Sequence, residues 1–338
     1  MPVDIGRKLP CRMKTFSGMS AAMLLGVSFA HAAVAADQSF EEFSEWGVPV
    51  NVGPPLNTAA EESAPAISDD GRSLIFNRNP NLPEDHDEDL YVSHRSRPSR
   101  SAWGEPWALA SINTPTSNER NATLSRDGLL LIFSSDRPGG SGGLDLYISR
   151  RMDRTDDQGW STPVNLGPTV NSSAADVGPD YVEYEAGSTV LYFTSNRPAP
   201  LGFGAADIYV STLSTDGAFG APVLVAELSS PSGDARPAIR TDGLELVLHS
   251  NRPAPPLSCP ANSPISSGGQ DLWVATRASD TDRWGCPINL GAIVNSESND
   301  LQAAFSDDAE VLFFSSNGPG GFGSDDLWTS KREKRDQD

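Results

Sequence analysis

The stretch SSDRPGGSGGLDLYISRR, from Ser134 to Arg151, decides the fold because related segments recur along the chain. Alone it has the composition of a ligand loop, since glycine-rich turns can hold anions and clustered carboxylates can hold calcium. Each copy places one aspartate before a Leu/Ile-aromatic pair, at intervals of 56, 62, 64 and 55 residues. These aspartates are Asp89, Asp145, Asp207, Asp271 and Asp326. The regular recurrence indicates five copies of one structural unit.

Every copy predicts four short antiparallel strands, labelled a, b, c and d. In the second copy NATLS forms strand a, a turn at Asp127-Gly128 leads into LLLIFSS as strand b, and DLYIS forms strand c. A W-G-x-P-x-N-L-G pattern, as in WGCPINLG, supplies strand d. Four-stranded antiparallel units at this spacing are typical of an all-β fold, here a single five-bladed β-propeller.

The position of the first strand d predicts how the ring closes. It lies at 46–53, ahead of any strand a, whereas no strand d follows Arg332. The N-terminal strand must therefore pair in the last blade, which removes an exposed sheet edge. The propeller is predicted to span 37–332, and a polar tail follows at 333–338. The blade repeats lie near 63–110, 120–168, 177–226, 235–291 and 301–332, the last completed by 46–53.

The repeat unit resembles the TolB-type, WD-like β-propeller repeat, whose consensus is P-x-x-S-x-D-G-x-x-L-x-F-x-S-x-R-x-G-x-x-D-I-Y. The second copy, Thr123–Ser149, matches it best, and the resemblance covers essentially the whole chain after the N-terminal segment. The longer form S-D-R-P-G-G-x-G-G-x-D-L-Y is similar to propeller domains attached to OmpA-like domains in bacterial envelopes. This resemblance implies a binding or scaffolding role in the envelope, although the same fold also carries enzymes.

The first 36 residues predict a cleaved secretory signal peptide. Basic residues between Arg7 and Lys14 precede the apolar run SAAMLLGVSFAHAAVAA, which ends in small residues. Met1 and Met13 are both candidate starts of translation. Cys11 precedes the apolar run, so it cannot serve as a lipoprotein acylation site. We therefore expect a periplasmic or secreted protein.

The formal charge of −20 argues against nucleic-acid and anionic-membrane partners. No further long apolar stretch follows the signal peptide, so no membrane span is expected. We expect a monomer whose partner is an envelope protein or a glycan. In an oxidising compartment, Cys259 and Cys286 are expected to form a disulfide.

An acidic residue recurs just before each strand a, close to the start of the strand. Strand a is innermost in a propeller, so the repeat predicts five carboxylates around the mouth of the central channel. Two interpretations stand. In the first, each acid pairs internally, either with backbone N–H groups or with an arginine of the b–c loop. In the second, the ring of acids binds a calcium ion or a polyhydroxylated ligand. The acids are Glu62, Glu119, Asp176, Asp234 and Asp300, and the candidate arginines are Arg137, Arg197 and Arg252.

Residues that break the repeat are better functional candidates, because repetition does not explain them. His249 replaces the Ser or Thr of three other blades and faces either solvent or the channel. Asn121, Arg236 and Gln302 are the polar residues at the position nearest the axis. We therefore predict ligand binding by the five acids together with these three residues. The full set at the axial position is Ala64, Asn121, Gly178, Arg236 and Gln302.

Most catalytic patterns do not occur in the sequence, including G-x-S-x-G, H-E-x-x-H, G-x-x-x-x-G-K-[ST] and zinc-type cysteine spacings. The histidines beyond residue 36 lie at unrelated positions, which argues against a histidine-dependent nucleophile. A pair of carboxylates stays open as catalytic machinery, as in glycoside hydrolysis. The candidates are Glu119, Asp176 and Asp234, beside Arg236.

Two functional hypotheses follow. The first is a non-enzymatic, exported propeller that binds a protein or glycan across the face formed by the d–a and b–c loops. The alternative is a carbohydrate-active hydrolase or lyase with carboxylates at the propeller axis. The missing catalytic patterns and the regular blades favour the first hypothesis. Neither requires a cofactor, apart from the calcium ion considered for the channel.

Overall fold

The computed structural model describes residues 42–79, 88–98, 101–184, 187–203, 205–255, 266 and 268–335. The predicted signal peptide and Cys259 lie outside these ranges, so cleavage and the Cys259–Cys286 disulfide stay predictions. In the part of the chain that is described, no helix has the length and apolar character needed to cross a membrane.

Within the described ranges, twenty strands form five antiparallel sheets of four strands each. Blade 1 contains β2 (Glu61–Ile67), β3 (Ser73–Asn79), β4 (Asp89–His94) and β5 (Trp107–Ala108), and blade 2 contains β6 (Glu119–Leu124), β7 (Leu130–Ser135), β8 (Asp145–Arg150) and β9 (Val164–Asn165). Blade 3 contains β10 (Asp176–Glu183), β11 (Thr189–Ser195), β12 (Asp207–Thr212) and β13 (Val223–Leu224), and blade 4 contains β14 (Asp234–Ile239), β15 (Glu245–Ser250), β16 (Asp271–Thr276) and β17 (Ile288–Asn289). Blade 5 combines β18 (Asp300–Phe305), β19 (Val311–Ser316) and β20 (Asp326–Lys331) with β1 (Val50–Asn51).

The ring closes as the sequence predicts. Val50 and Asn51 pair antiparallel with Thr329 and Trp328, so β1 is the outermost strand of blade 5. A further bridge joins residue 43 to residue 334, inside the segment predicted as a polar tail. The prediction of an all-β, five-bladed propeller closed by its N-terminal strand is confirmed.

The apolar core lies between neighbouring blades. Among the described residues, buried apolar side chains form five clusters, and each cluster joins two adjacent sheets. Leu90 of β4 and Phe133 of β7, for example, are fully buried in the cluster between blades 1 and 2. Burial of such a side chain contributes about 2 kcal/mol, so contacts between blades hold the ring together.

Asp145 closes the glycine-rich loop between strands b and c of blade 2. Its Oδ2 accepts the N–H of Ser141 at 2.5 Å and the side-chain amide of Asn165 at 2.9 Å, which ties the loop to strand d. Gly142 rests against blade 3, because a Cβ there would lie 2.6 Å from the carbonyl oxygen of Ala174. The loop is therefore a structural turn that docks on the next blade.

Candidate functional site

The five predicted acids lie at the start of strand a in each blade and are almost completely buried. Four of them form ion pairs with an arginine near the end of strand b or just after it: Glu62–Arg78 (2.8 Å), Glu119–Arg137 (3.0 Å), Asp176–Arg197 (3.0 Å) and Asp234–Arg252. Asp300 instead accepts the backbone N–H of Ser296 at 2.6 Å and its hydroxyl at 3.0 Å. The pairs join the d–a loop to the b–c loop of the same blade.

Hydrogen bonds within the loop complete the surroundings of each acid. Glu119 accepts the N–H of Thr114 at 2.7 Å and the hydroxyl of Ser135 at 2.9 Å. Burial raises the pKa of Glu119, whereas these hydrogen bonds and the charge of Arg137 oppose the rise. These contacts agree with the first of the two interpretations of the sequence, in which each acid pairs within its own blade. All five carboxylates are buried. The ligand binding predicted for Glu62, Glu119, Asp176, Asp234 and Asp300 and the catalytic role predicted for Glu119, Asp176 and Asp234 stay predictions, and both need a carboxylate that a ligand can reach.

The positions nearest the axis form a bulge with positive φ in every strand a. Each of these residues donates its backbone N–H to a strand-b side chain of the preceding blade. The donors are Ala64, Asn121, Gly178, Arg236 and Gln302, and the acceptors in the same order are Ser315, Asn77, Ser134, Thr194 and His249. His249 therefore belongs to a repeated contact between blades.

Arg236 fills the central channel. Its Nη2 lies 3.4 Å from the carbonyl oxygen of Ala122 and 3.5 Å from that of Pro65, on two other blades. Gly178 leaves room for the side chain, because a Cβ there would lie 3.1 Å from Arg236 Cδ. The Nη1 atom is buried and has no hydrogen-bond partner among the described residues. The guanidinium group therefore lies across the channel, with one of its donor nitrogens buried and without a partner among the described residues.

A cavity of about 120 Å³ extends from Arg236 to the face formed by the a–b turns. This face is opposite the loop face that the sequence predicted for binding. Four acidic residues line the cavity, namely Asp69, Asp180, Glu183 and Asp307. The channel therefore carries its accessible carboxyl groups on the a–b side of the propeller.

Asp180 is the site residue that sequence reasoning missed. Its position within strand a is occupied by Ala66, Thr123, Ala238 and Ala304 in the other blades. Asp180 could have been identified as the single acidic residue at this position of the repeat. It lies within strand a, whereas the five predicted acids lie at the start of the strand. The other four blades have alanine or threonine at this position. The carboxyl group of Asp180 therefore has no structural role that repeats from blade to blade.

Two of the carboxyl groups of the cavity, those of Asp180 and Asp69, have raised pKa values. Desolvation raises the pKa of Asp180 to about 6, although the Ile239 N–H, donated at 2.7 Å, and the charge of Arg236 favour the anion. Desolvation also raises the pKa of Asp69 to about 6, and a hydrogen bond with Asp307 is the next cause. Two carboxyl groups that share a proton keep one of them neutral. The cavity can therefore both give and take a proton near neutral pH.

A second group of acids lies on the opposite face. Desolvation raises the pKa of Glu61 to about 7, and the charges of Glu88 and Asp325 add to the rise. In the ranges that the structure describes, no group of three or more metal-ligating side chains is arranged to hold an ion. The calcium ion considered from the sequence stays a prediction.

No family model matches the sequence, and no curated protein sequence matches it. Several solved structures match the fold. An endo-arabinase from Bacteroides thetaiotaomicron is 15% identical, with a TM-score of 0.54 over 87% of this chain and 99% of that chain. A B. megaterium levansucrase is 11% identical, with a TM-score of 0.56 over 90% of this chain and 92% of that chain. TolB from Acinetobacter baumannii is 13% identical, with a TM-score of 0.45 over 86% of this chain and 63% of that chain.

These likenesses define the chain as a five-bladed β-propeller, and at such low identity they show the fold alone. The five-bladed fold that the TolB-type resemblance implies is confirmed, but no family model supports the resemblance to TolB-type or OmpA-associated propellers themselves. Similar structures are mostly glycoside hydrolases. This finding contradicts the prediction of a non-enzymatic binding or scaffold protein, and the carbohydrate-active alternative stays a proposal.

Proposed function

We propose that the chain is a carbohydrate-active enzyme, a hydrolase or a lyase, which acts in the channel cavity closed by Arg236. The observation that carries the proposal is a cavity at the propeller axis, lined at its inner end by Arg236, in which the pKa values of Asp180 and Asp69 are raised to about 6. Cleavage of a glycosidic bond needs one protonated and one ionised carboxyl group on either side of it. Two similar structures are named as an endo-arabinase and a levansucrase, so glycans are the first substrates to test.

In the hydrolytic version of this mechanism, Asp180 protonates the glycosidic oxygen. Its raised pKa keeps a fraction of the carboxyl group protonated near neutral pH. The Asp69–Asp307 pair supplies the second carboxylate, as the nucleophile or as the base that activates water. Arg236 lines the inner end of the cavity, and its positive charge favours the ionised form of Asp180 once the proton has been donated.

The size of the cavity limits which part of a glycan can enter. A volume of about 120 Å³ is small beside the roughly 300–1,000 Å³ of pockets for larger ligands. Because Arg236 closes the inner end, a polysaccharide cannot pass through the channel. We therefore expect the enzyme to act on a terminal sugar or a side branch and to release monosaccharides.

The proposed location is the periplasm or the outside of the cell. The predicted signal peptide at 1–36 supports export, and polysaccharides are available to an exported enzyme. The proposed partner is then a glycan substrate, bound by a monomeric propeller.

The substitution Asp180→Asn tests the proposal because it removes the proton donor and keeps the shape of the side chain. We expect the rate of monosaccharide release from a panel of arabinans, fructans and other glycans to fall about 100-fold or more. Asp216→Asn is the matched control, since Asp216 lies on an exposed turn of the same blade. The control should keep the wild-type rate.

The pH dependence gives a second readout. The wild-type rate should fall as the pH rises above about 6, because Asp180 then loses the proton that it donates. A folded wild-type protein that releases no product from any glycan would overturn the proposal. An unchanged rate in the Asp180→Asn variant would overturn the role of this residue.

A further inference from the structure

A serine, a histidine and an aspartate form a chain of hydrogen bonds between blades 1 and 2. Ser73 Oγ lies 2.9 Å from His94 Nδ1, and His94 Nε2 lies 2.7 Å from Asp157 Oδ2. Ser73 begins β3 and is the cross-strand partner of His94 at the end of β4. Asp157 belongs to the c–d turn of blade 2, between β8 and β9. Packing of two blades therefore brings together residues that are distant in sequence.

The carboxylate of Asp157 determines the tautomer of His94. Asp157 is 8% exposed, and its Oδ1 pairs with Arg151 at 3.0 Å, which holds the anion in place. A carboxylate only accepts hydrogen bonds, so His94 donates its Nε2–H to Asp157, and in this tautomer of the neutral ring Nδ1 is the acceptor. Nδ1 therefore accepts the hydroxyl hydrogen of Ser73, and the serine oxygen is prepared for loss of its proton.

The serine lies beside a cavity that a reactant can enter. Ser73 and His94 line a volume of about 280 Å³ at the a–b and c–d turns, and the His94 side chain is 34% exposed. Arg72, Arg95 and Arg154 line the same cavity. Arg95 donates its Nε–H to the carbonyl oxygen of Gly71 and Arg154 pairs with Asp70, so the remaining N–H groups of these arginines and of Arg72 are the donors for a negatively charged oxygen in this cavity.

We propose that Ser73, His94 and Asp157 form a catalytic triad that cleaves O-acyl esters. Such triads are defined by geometry and roles rather than by sequence order, and here the two ring nitrogens of the histidine exchange their usual partners. The site is separate from the channel cavity and does not depend on the glycan activity proposed above. Asp69 and Arg126 line both cavities, so the two sites are neighbours on one face.

The proposed reaction has two steps, acylation of Ser73 and hydrolysis of the acyl-serine. Ser73 Oγ attacks the ester carbonyl carbon while its proton moves to His94 Nδ1, and the bond to the alcohol oxygen breaks as His94 protonates that oxygen. Water then loses a proton to His94 and attacks the acyl-serine, which releases the carboxylic acid and restores Ser73. The backbone N–H groups of Arg72 and Ser73 are already donated to Ser68 Oγ, so arginine side chains stabilise the oxyanion.

A fluorophosphonate probe, which phosphonylates activated serines, tests this triad in the intact protein. We expect a single adduct, mapped to Ser73 by mass spectrometry of peptides. Ser73→Ala and His94→Asn should each lower the rate of adduct formation about 100-fold or more. Ser141→Ala removes an exposed serine from a loop of blade 2 and is the matched control. This control should react at the wild-type rate.

Thermal melting separates loss of the reaction from loss of the fold. Among the described residues the Ser73 hydroxyl bonds only to His94, so the alanine variant should melt close to the wild type. Release of nitrophenol from p-nitrophenyl acetate gives a second readout, which should disappear in the same two variants. The proposal fails if the folded wild type does not react, if the adduct lies on another residue, or if either variant reacts at the wild-type rate.

Discussion

His249 is placed where three other blades use a hydroxyl side chain and blade 1 uses Asn77. It accepts the backbone N–H of Gln302 through Nδ1 and so links blade 4 to blade 5. Burial, together with the charge of Arg236, lowers the pKa of His249 to about 3. An imidazolium ion has no acceptor nitrogen, so protonation would remove this link.

Because of His249, the free energy of unfolding is expected to decrease as the pH falls. Between pH 6.5, the ordinary pKa of histidine, and about pH 3, the unfolded chain takes up a proton at His249 but the folded chain does not. The contribution of His249 to the free energy of unfolding is therefore complete above pH 6.5 and decreases as the pH falls through this range. His249→Asn keeps an acceptor and does not titrate. Relative to this variant, the wild type should lose about 2 kcal/mol between about pH 7.5 and about pH 5. Urea unfolding at both pH values measures the difference, and parallel losses would contradict the buried, neutral histidine.

Repetition explains which single residues could be predicted. The acid ahead of each strand a recurs five times, so internal pairing with Arg137 and Arg197 was already a sequence-level interpretation. Asp180 was missed because its role depends on which strand position faces the channel. The contact between His94 and Asp157 was missed because it depends on the packing of two blades.

At the scale of the element, strand a combines a β-bulge with a contact to the preceding blade. The φ angle is 52° at Ala64, 57° at Asn121 and 61° at Gly178. A residue other than glycine in this region costs roughly 1–3 kcal/mol. The hydrogen bond from the bulge to the preceding blade offsets part of that cost. Blade 3 avoids it altogether by using glycine.

The bulge gives a matched pair of substitutions. Gly178→Ala adds a Cβ at positive φ, 3.1 Å from Arg236 Cδ, and should lower the free energy of unfolding by about 1–3 kcal/mol. Ala64→Gly at the same bulge of blade 1 should leave stability unchanged or raise it by up to about 1 kcal/mol. Urea unfolding of both variants measures the effect. Equal losses would show that conformation at the bulge is not the cause.

Element boundaries differ from the sequence prediction for physical reasons. Strand a was expected to begin after the acid, yet Asp176 already pairs with Ser195 in the ladder of blade 3. Strand d was expected over 46–53, but only Val50 and Asn51 form the ladder. Pro49 has no N–H to donate to the ladder, which limits the strand on its N-terminal side.

At the scale of the whole molecule, the N-terminal segment holds the ring closed. Val52 donates its N–H to the carbonyl oxygen of Leu327 at 3.0 Å, beyond the two paired residues of β1. Trp46 is 8% exposed and belongs to the apolar cluster between blades 4 and 5. The guanidinium of Arg332 lies 4.3 Å from the Trp46 ring centroid. The segment therefore supplies both a strand and part of the core.

Removal of residues 37–53 should destabilise the entire ring. The deletion leaves the edge of β20 unpaired and exposes the cluster that Trp46 covers. We expect a lower melting temperature or failure to fold, measured by circular dichroism. A synthetic peptide of this segment, added in excess, should restore part of the melting temperature of a folded truncation. A truncated protein that melts like the full chain would refute closure by β1.

The repeat length and the early strand d were sufficient to predict blade number and closure. The state of the channel was not predictable, because it depends on one side chain crossing the axis. Arg236 reaches carbonyl oxygens of blades 1 and 2 only after all the blades are in place. The face from which the channel is accessible is determined by the position of Arg236, so the loop sequences alone could not predict it.

Closure also bears on when the protein can fold. The hydroxyl of Thr329 donates to the carbonyl oxygen of Val50 at 3.4 Å, across 279 positions of sequence. Pairing over such a separation slows folding, because a long loop must be ordered before the contact forms. During synthesis, blade 5 lacks part of its sheet until the residues of β20 have left the ribosome. The ring of the nascent chain therefore stays open until β20 has been synthesised, and the last strand made completes the sheet that the first strand began.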